Sequence, residues 1–264
     1  MVRRGFAADA AFTNEKMITF KVGHGGKAVF LVPEDRIRAS SEFVDAAMRG
    51  PWQESQERVI TLPEFDRHTF GIYFQWLVTG VIHSKPSPTD GEDQLAELTK
   101  DLYREILGLP QLFDLGHFLI DADFRDTLSD ILTQCASDIR GLSIMFPPIY
   151  GSRFYENTPE GSPTRKLVAD LVAECIEQYQ PKGLGLNQDT VHSDYIMDLL
   201  LAVSDRLGSR FTKSPLRGWQ TSCKYHCHGD EKPCYRKKVG TSRTIPTKRP
   251  APNDTQSPDA KRRA

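Results

Sequence analysis

The chain has 264 residues, 39% of them hydrophobic and 26% charged, which is enough apolar material for one domain of ordinary size plus a helical extension without crosslinks. Its five cysteines, an odd number, point to a reducing compartment, and no apolar run approaches the roughly 18 residues that span a bilayer. The net charge of −1 hides an asymmetry: residues 235–264 carry +7 and the rest of the chain −8, a basic appendage on an acidic body.

Residues 1–16 hold Arg3 and Arg4 before an alanine-rich patch that Asp9 interrupts. They read as a flexible lead or a mitochondrial presequence rather than a secretory signal. Residues 17–33 read as a β-hairpin, because Ile18, Phe20 and Val22 alternate with polar neighbours and an apolar run follows the turn His24-Gly25-Gly26. The glycines serve that turn, since no helix opens after them with the lysine and hydroxyl of a phosphate loop. Pro33 suits the first turn of a short helix, and a second helix over 42–49 is closed by Gly50-Pro51. A short strand follows over 58–62. Asp66 is placed to N-cap a helix in which Phe70, Tyr73, Phe74 and Leu77 recur at i, i+3, i+4 and i+7, with Gly80 ending it. That aromatic crowding, Trp76 included, has the spacing of a buried helix face and reads as core rather than as a ligand box.

The polar stretch 83–93 is a surface linker. Helices are expected over 94–107 and 111–119, separated by a break at Gly108-Leu109-Pro110, and again over 124–137. In the last of these Phe124, Leu128, Ile131, Leu132 and Cys135 share one face, which makes Cys135 a core thiol. Residues 141–162 look irregular. Ser162-Pro163 offers an N-cap with proline at N1 for a helix striped by Leu167, Leu171 and Cys175. A final helix over 189–207 is expected to turn Ile196, Leu199, Leu200, Val203 and Leu207 inward and to stop at Gly208.

Read in order, Ser41-Glu42-Phe43, Trp52-Gln53-Glu54-Ser55, Val59-Ile60-Thr61-Leu62-Pro63 and Gln75-Trp76-Leu77-Val78-Thr79-Gly80 resemble the BTB/POZ domain-containing proteins of fungi over residues 17–138. The later string from Tyr155 to Pro163 resembles a phrase found downstream of that domain in the same family. The resemblance implies an α+β BTB/POZ fold, a small mixed β-sheet flanked by helical hairpins, with a C-terminal helical extension over 139–222. It implies a dimerisation or adaptor module that binds other proteins, a second copy in a homodimer included, and no enzyme activity. Members that act as substrate adaptors for cullin-type ubiquitin ligases carry a hydrophobic residue, any residue, then glutamate between the second helix and the third strand, where this chain has Trp52-Gln53-Glu54. An exposed aromatic anchors a partner's groove while a carboxylate orients it; the alternative is that Trp52 folds back as a cap on its own domain. Pro33-Glu34 stand where the family usually has a His-Lys pair, so recruitment through the pocket that pair forms is not expected.

Residues 223–234 concentrate three of the five cysteines and two of the seven histidines. Cys223, His226, His228 and Cys234 supply the thiolate and imidazole set that tetrahedral zinc takes, with Cys227 in reserve. The spacing is not that of the common zinc fingers, and on an extended strand His226 and His228 point to opposite faces. The alternative is a packed or solvent-facing cluster with no resident cofactor. No His-Glu-x-x-His spacing occurs and no carboxylate pair is tied to a nucleophile, so no catalytic residues are assigned.

Residues 235–264 have too few apolar side chains to offset the entropy of ordering and read as a disordered basic tail. Lys248-Arg249 and Lys261-Arg262-Arg263, separated by an eleven-residue spacer, look like a bipartite nuclear import signal read by an import receptor. That places the protein in the nucleus, with the cytoplasm as a second location. A solvated tail and loose phosphate contacts are the alternatives, and no base-reading module accompanies them. The functional expectation is a protein-interaction adaptor; its rival is a nuclear transcription or chromatin cofactor touching nucleic acid through the tail and the Cys/His cluster.

Overall fold

The opening hairpin forms where apolar alternation puts Ile18, Phe20 and Val22 on one face of a strand, all three without exposed surface. In the computed structural model, which describes residues 16–85, 94–141, 148–176, 191–210, 214 and 216–238, β1 (Met17–Val22) pairs antiparallel with β2 (Ala28–Pro33). The tight turn between them takes Gly23 and Gly25 to φ of 85° and 73°, which a Cβ disfavours. β3 (Val59–Leu62) joins the other edge of β1 in parallel, so the sheet is mixed, in the order β2-β1-β3.

A parallel neighbour requires a crossover. It is supplied by α1 (Glu34–Ser40), α2 (Glu42–Arg49) and the single-turn α3 (Gln53–Glu57). Between α1 and α2, the buried Ser41 hydroxyl accepts from Val44 N–H at 3.1 Å, capping α2, and donates to the Leu119 carbonyl at 2.6 Å. Glu34 pairs with Arg38 at 3.0 Å and with Arg58. α4 (Arg67–Thr79) begins and ends as its sequence indicates: the Asp66 carboxylate accepts from Thr69 N–H at 2.7 Å, and Gly80 takes φ 76°. Its aromatic face is core. Phe70 lies 5.0 Å from Phe20, and Tyr73 and Trp76 each lie 4.9 Å from Phe124, ring centre to ring centre.

The expected break at Gly108-Leu109-Pro110 does not occur, and α5 (Gln94–Phe118) runs through it with Pro110 inside. An interior proline costs about 3 kcal/mol of helix stability. Ile106, Leu109, Leu112, Phe113 and Leu115 are all buried on either side of it, so packing holds together two halves that local propensity would separate. α6 (Ala122–Gly141) buries Phe124, Leu128, Leu132 and Cys135 on the anticipated stripe, and burial pushes the Cys135 thiol well above its usual range, as for a core thiol.

Part of the stretch read as irregular is ordered by distant bonds: α7 (Pro148–Ser152) is held by Tyr195, whose hydroxyl donates to the Pro148 carbonyl at 2.6 Å. The turn after it is held by Tyr155, whose hydroxyl donates to the Arg165 carbonyl at 2.9 Å. α8 (Pro163–Cys175) starts at the Ser162 cap, as read, but is buried nearly all round rather than along one stripe. α9 (Ser193–Gly208) packs on it with Tyr195, Leu199, Ala202 and Arg206 inward, leaving Leu200 and Leu207, both assigned to the core from sequence, 59% exposed. The inward face is rotated because an ion pair occupies it: Arg206 meets Glu174 at 2.9 Å, each side chain only 8% exposed. The chain is thus α+β, a three-stranded mixed sheet with helices, and among the described residues no helix is long and apolar enough to cross a membrane.

Just before α6, the fully buried Asp121 accepts from Ser40 Oγ at 2.6 Å, from Tyr73 OH at 3.0 Å and from Phe124 N–H at 3.0 Å, joining α1, α4 and α6. Burial outweighs these donors and pushes its carboxyl up to about 6. A carboxyl raised in this way favours the folded state when protonated; the contribution is complete below its unfolded value near 4 and is lost as pH rises through about 6. The stability of the native sequence relative to Asp121→Asn is therefore expected to fall by on the order of 2–3 kcal/mol between about pH 4 and about pH 7. Urea unfolding across that range measures it, and a constant difference would contradict the raised carboxyl.

Candidate functional site

Residues 216–238 contain little regular structure beyond α10 (Tyr235–Lys238) and are fastened to the body by opposite charges. Lys224 pairs with Asp170 of α8 at 2.9 Å, Lys238 with Asp123 of α6 at 2.7 Å, Lys232 with Glu42 of α2, and Arg236 with Asp130 of α6. Asp170 also accepts from Tyr225 OH at 2.7 Å. The segment lies as a strap across α2, α6 and α8.

Turns within the strap set the geometry of its ligands. His226 N–H donates to the Cys223 carbonyl at 3.0 Å and Gly229 takes φ 69°, so the backbone is not extended and the two imidazoles do not diverge. Their ring centres are 5.5 Å apart. Ligand atoms of Cys223, His226, His228 and Cys234 all lie within 4.8 Å of one another, the same four residues the sequence nominates. Cys234 Sγ is 3.5 Å from His226 Nδ1, against about 3.6 Å for a sulfur and a nitrogen sharing a tetrahedral zinc. Cys227 is not part of the group: its thiol donates to the Ala122 carbonyl at 3.7 Å, its N–H donates to Asp126 at 2.6 Å, and burial followed by Asp126 pushes the thiol up to about 12.

One buried nitrogen of the group has no hydrogen-bond partner. His228 Nδ1–H donates to the Gly229 carbonyl, which leaves Nε2 buried with no hydrogen-bond partner. An unsatisfied buried acceptor costs roughly 1–3 kcal/mol, and a metal ion removes that cost. Burial raises the Cys234 thiol, the Arg236 backbone N–H opposes the rise, and the neighbouring Cys223 adds to it; a divalent cation between the sulfurs favours both thiolates. His226 Nε2 lies 3.1 Å from Asp130. Burial alone would raise the Asp130 carboxyl, but bonds from His226, Arg236 and Tyr235 outweigh it and hold the group below the usual carboxylate range. The chain therefore contains a Cys/His group that can hold a metal ion.

Comparison with known proteins gives no matching family model and no matching curated relative. The second pair of residues singled out from sequence, Trp52 and Glu54, sits at the N-cap and in the first turn of α3, between α2 and β3. Trp52 is 61% exposed, and Glu54 is exposed beside it. The indole leans over bare backbone: a Cβ at Gly50 would fall 2.2 Å from Trp52 Nε1, and Ser55 Oγ holds the bend by donating to the Gly50 carbonyl at 2.6 Å and the Trp52 carbonyl at 2.9 Å. Lys248, Arg249, Lys261, Arg262 and Arg263 lie outside the described residues, as do residues 1–15 and most of the 83–93 linker.

Asp126, Asp130, Tyr235 and Arg236 went unnoticed in the sequence. The two aspartates stand about a hundred residues before the histidines, and only their four-residue spacing on one helix hints that they share a face. Under reducing conditions, cobalt(II) added to the purified protein is expected to bind in about one equivalent with thiolate-to-metal absorption. That absorption should be lost in Cys223→Ser and in Cys234→Ser and kept in Cys227→Ser; its persistence in the first two would remove the cluster from metal binding.

Proposed function

We propose that the chain is a BTB/POZ-type protein-interaction module that works as a substrate adaptor for a cullin-type ubiquitin ligase, docking the scaffold through Trp52 and Glu54. One observation carries this reading: a large aromatic is held 61% exposed on a short helix between α2 and β3, next to an exposed carboxylate. Exposed apolar surface of that size costs solvation free energy unless a partner covers it. The element order, an antiparallel hairpin, a helical crossover and a parallel third strand, is compatible with the fold that the resemblance implies. The exposed Val29 and Leu31 on edge strand β2 give a further apolar face suited to protein contact, a second copy of the chain included.

The metal is proposed to be zinc in a structural role. Two thiolates and two imidazoles complete a tetrahedron from protein ligands alone, leaving no open position for a reacting water. The module is accordingly proposed to have no catalysis of its own. Nuclear localisation through Lys248, Arg249 and Lys261 to Arg263 rests on the tail sequence. The rival reading, a transcription or chromatin cofactor contacting nucleic acid through the basic tail and the cluster, has less support at the cluster, because Lys224, Lys232, Arg236 and Lys238 around it are each paired with a carboxylate.

Trp52→Ala combined with Glu54→Ala is expected to abolish co-purification with a cullin from nuclear extract, and capture that survives the double substitution would remove these residues from the mechanism. Gly50→Ala offers a gentler test. Gly50 has an ordinary φ of −85°, so alanine fits the backbone but displaces the indole. Weaker cullin capture with a shifted Trp52 fluorescence and an unchanged melting temperature is the expected result.

A further inference from the structure

Two imidazoles facing one metal have four nitrogens to offer, and the groups behind each ring decide which one is presented. Behind His228, the Gly229 carbonyl takes the Nδ1 proton and leaves Nε2 buried and unpartnered toward the cluster. Behind His226 the arrangement is reversed: Asp130 sits 3.1 Å from Nε2, while Nδ1 lies 3.5 Å from Cys234 Sγ.

Asp130 is more than a passive acceptor. Its carboxylate also receives Arg236 Nε at 2.7 Å, Arg236 Nη2 and Tyr235 OH. Arg236 in turn donates to the Trp219 carbonyl at 3.0 Å and the Ser222 carbonyl at 3.0 Å, just before Cys223. Asp130 of α6 therefore holds the end of the ligand-bearing strap and its central histidine directly, and reaches the start of the strap only through Arg236. Asp126, one turn earlier, faces the same ring with Oδ2 3.9 Å from His226 Nδ1 and bonds the Cys227 N–H. Donor count and geometry distinguish the two aspartates: Asp130 meets the nitrogen that points away from the sulfurs.

We infer that Asp130 is the positioning residue of this site, and that the metal is bound through Nδ1 of His226 and Nε2 of His228. The inference rests on the metal reading of the Cys/His group. Carboxylates in this position hold the ring orientation and raise the basicity of the ligating nitrogen, and their loss typically weakens metal binding by about 10–100-fold. Asparagine at this position keeps one oxygen for the Nε2 proton, but it removes the charge and sets an amide N–H against Arg236 Nε, so the effect read combines lost charge with a weaker hold on Arg236.

The test uses the full chain loaded with zinc. Nitrogen-15 correlation spectra of the histidine rings in the unmodified protein are expected to show His226 protonated on Nε2 and metal-bound through Nδ1, with the opposite pattern in His228. Competition with a chromophoric chelator is expected to give about 10–100-fold weaker zinc binding for Asp130→Asn, largely recovered by Asp130→Glu. Asp123→Asn, which removes only the carboxylate paired with Lys238, should stay within about twofold of the unmodified protein. His226 bound through Nε2, or unchanged affinity in Asp130→Asn, overturns the inference while leaving the metal site standing. Failure of the unmodified chain to bind zinc overturns both, and the ring spectra decide the nitrogen assignment even if every Asp130 variant is unstable.

Discussion

A carboxylate withdrawn from water is costly unless donors replace its hydration, and three aspartates on or just before α6 impose that requirement on the whole structure. Asp121 is met by Ser40, Tyr73 and the Phe124 N–H, Asp126 by the Cys227 N–H at one oxygen while its Oδ2 stays buried without a hydrogen-bond partner, and Asp130 by His226, Tyr235 and Arg236. The first gathers α1, α4 and α6 around the sheet. The other two gather the strap. Helix α6 is thereby a wall shared by two assemblies, with Phe124, Leu128, Leu132 and Cys135 on its apolar side and acidic groups on the side that meets residues 216–238.

This division explains how a segment with few aliphatic side chains is held in place. Its cations find carboxylates on α2, α6 and α8, and its buried members are few, notably Tyr225, His226 and Cys234. Surface ion pairs contribute little individually, so the strap depends on its more buried contacts. Trp52 answers to a different constraint. Trp52 is placed by local geometry alone, through the absence of a side chain at Gly50 and the two bonds from Ser55, and involves none of the buried aspartates. In the proposed function, recognition and structural closure are thus separate devices on one chain.

Legibility from sequence tracked the range of the physics. Caps and turns were readable because they depend on residues three or four apart: Asp66, Gly80 and Ser162 all stand where they were expected. The α6 stripe was readable for the same reason. Pro110 misled because its penalty is local while the burial of Ile106, Leu109, Leu112 and Phe113 that overrides it is not. The face of α9 misled because apolar content was equated with burial, whereas Arg206 entered the interior with a partner, Glu174, on another helix.

The four candidate metal ligands were named by composition alone, since cysteine and histidine so dense in one short segment leave few alternatives. Whether they converge was beyond the sequence. That outcome depends on the turn at Cys223 to His226, on the left-handed Gly229, and on Asp126 and Asp130 arriving from about a hundred residues away. Local chemistry is written in the order of residues, because backbone hydrogen bonds and helical spacing act over a few positions. Partnership between distant charges is decided only when the apolar core has packed and carried their helices together.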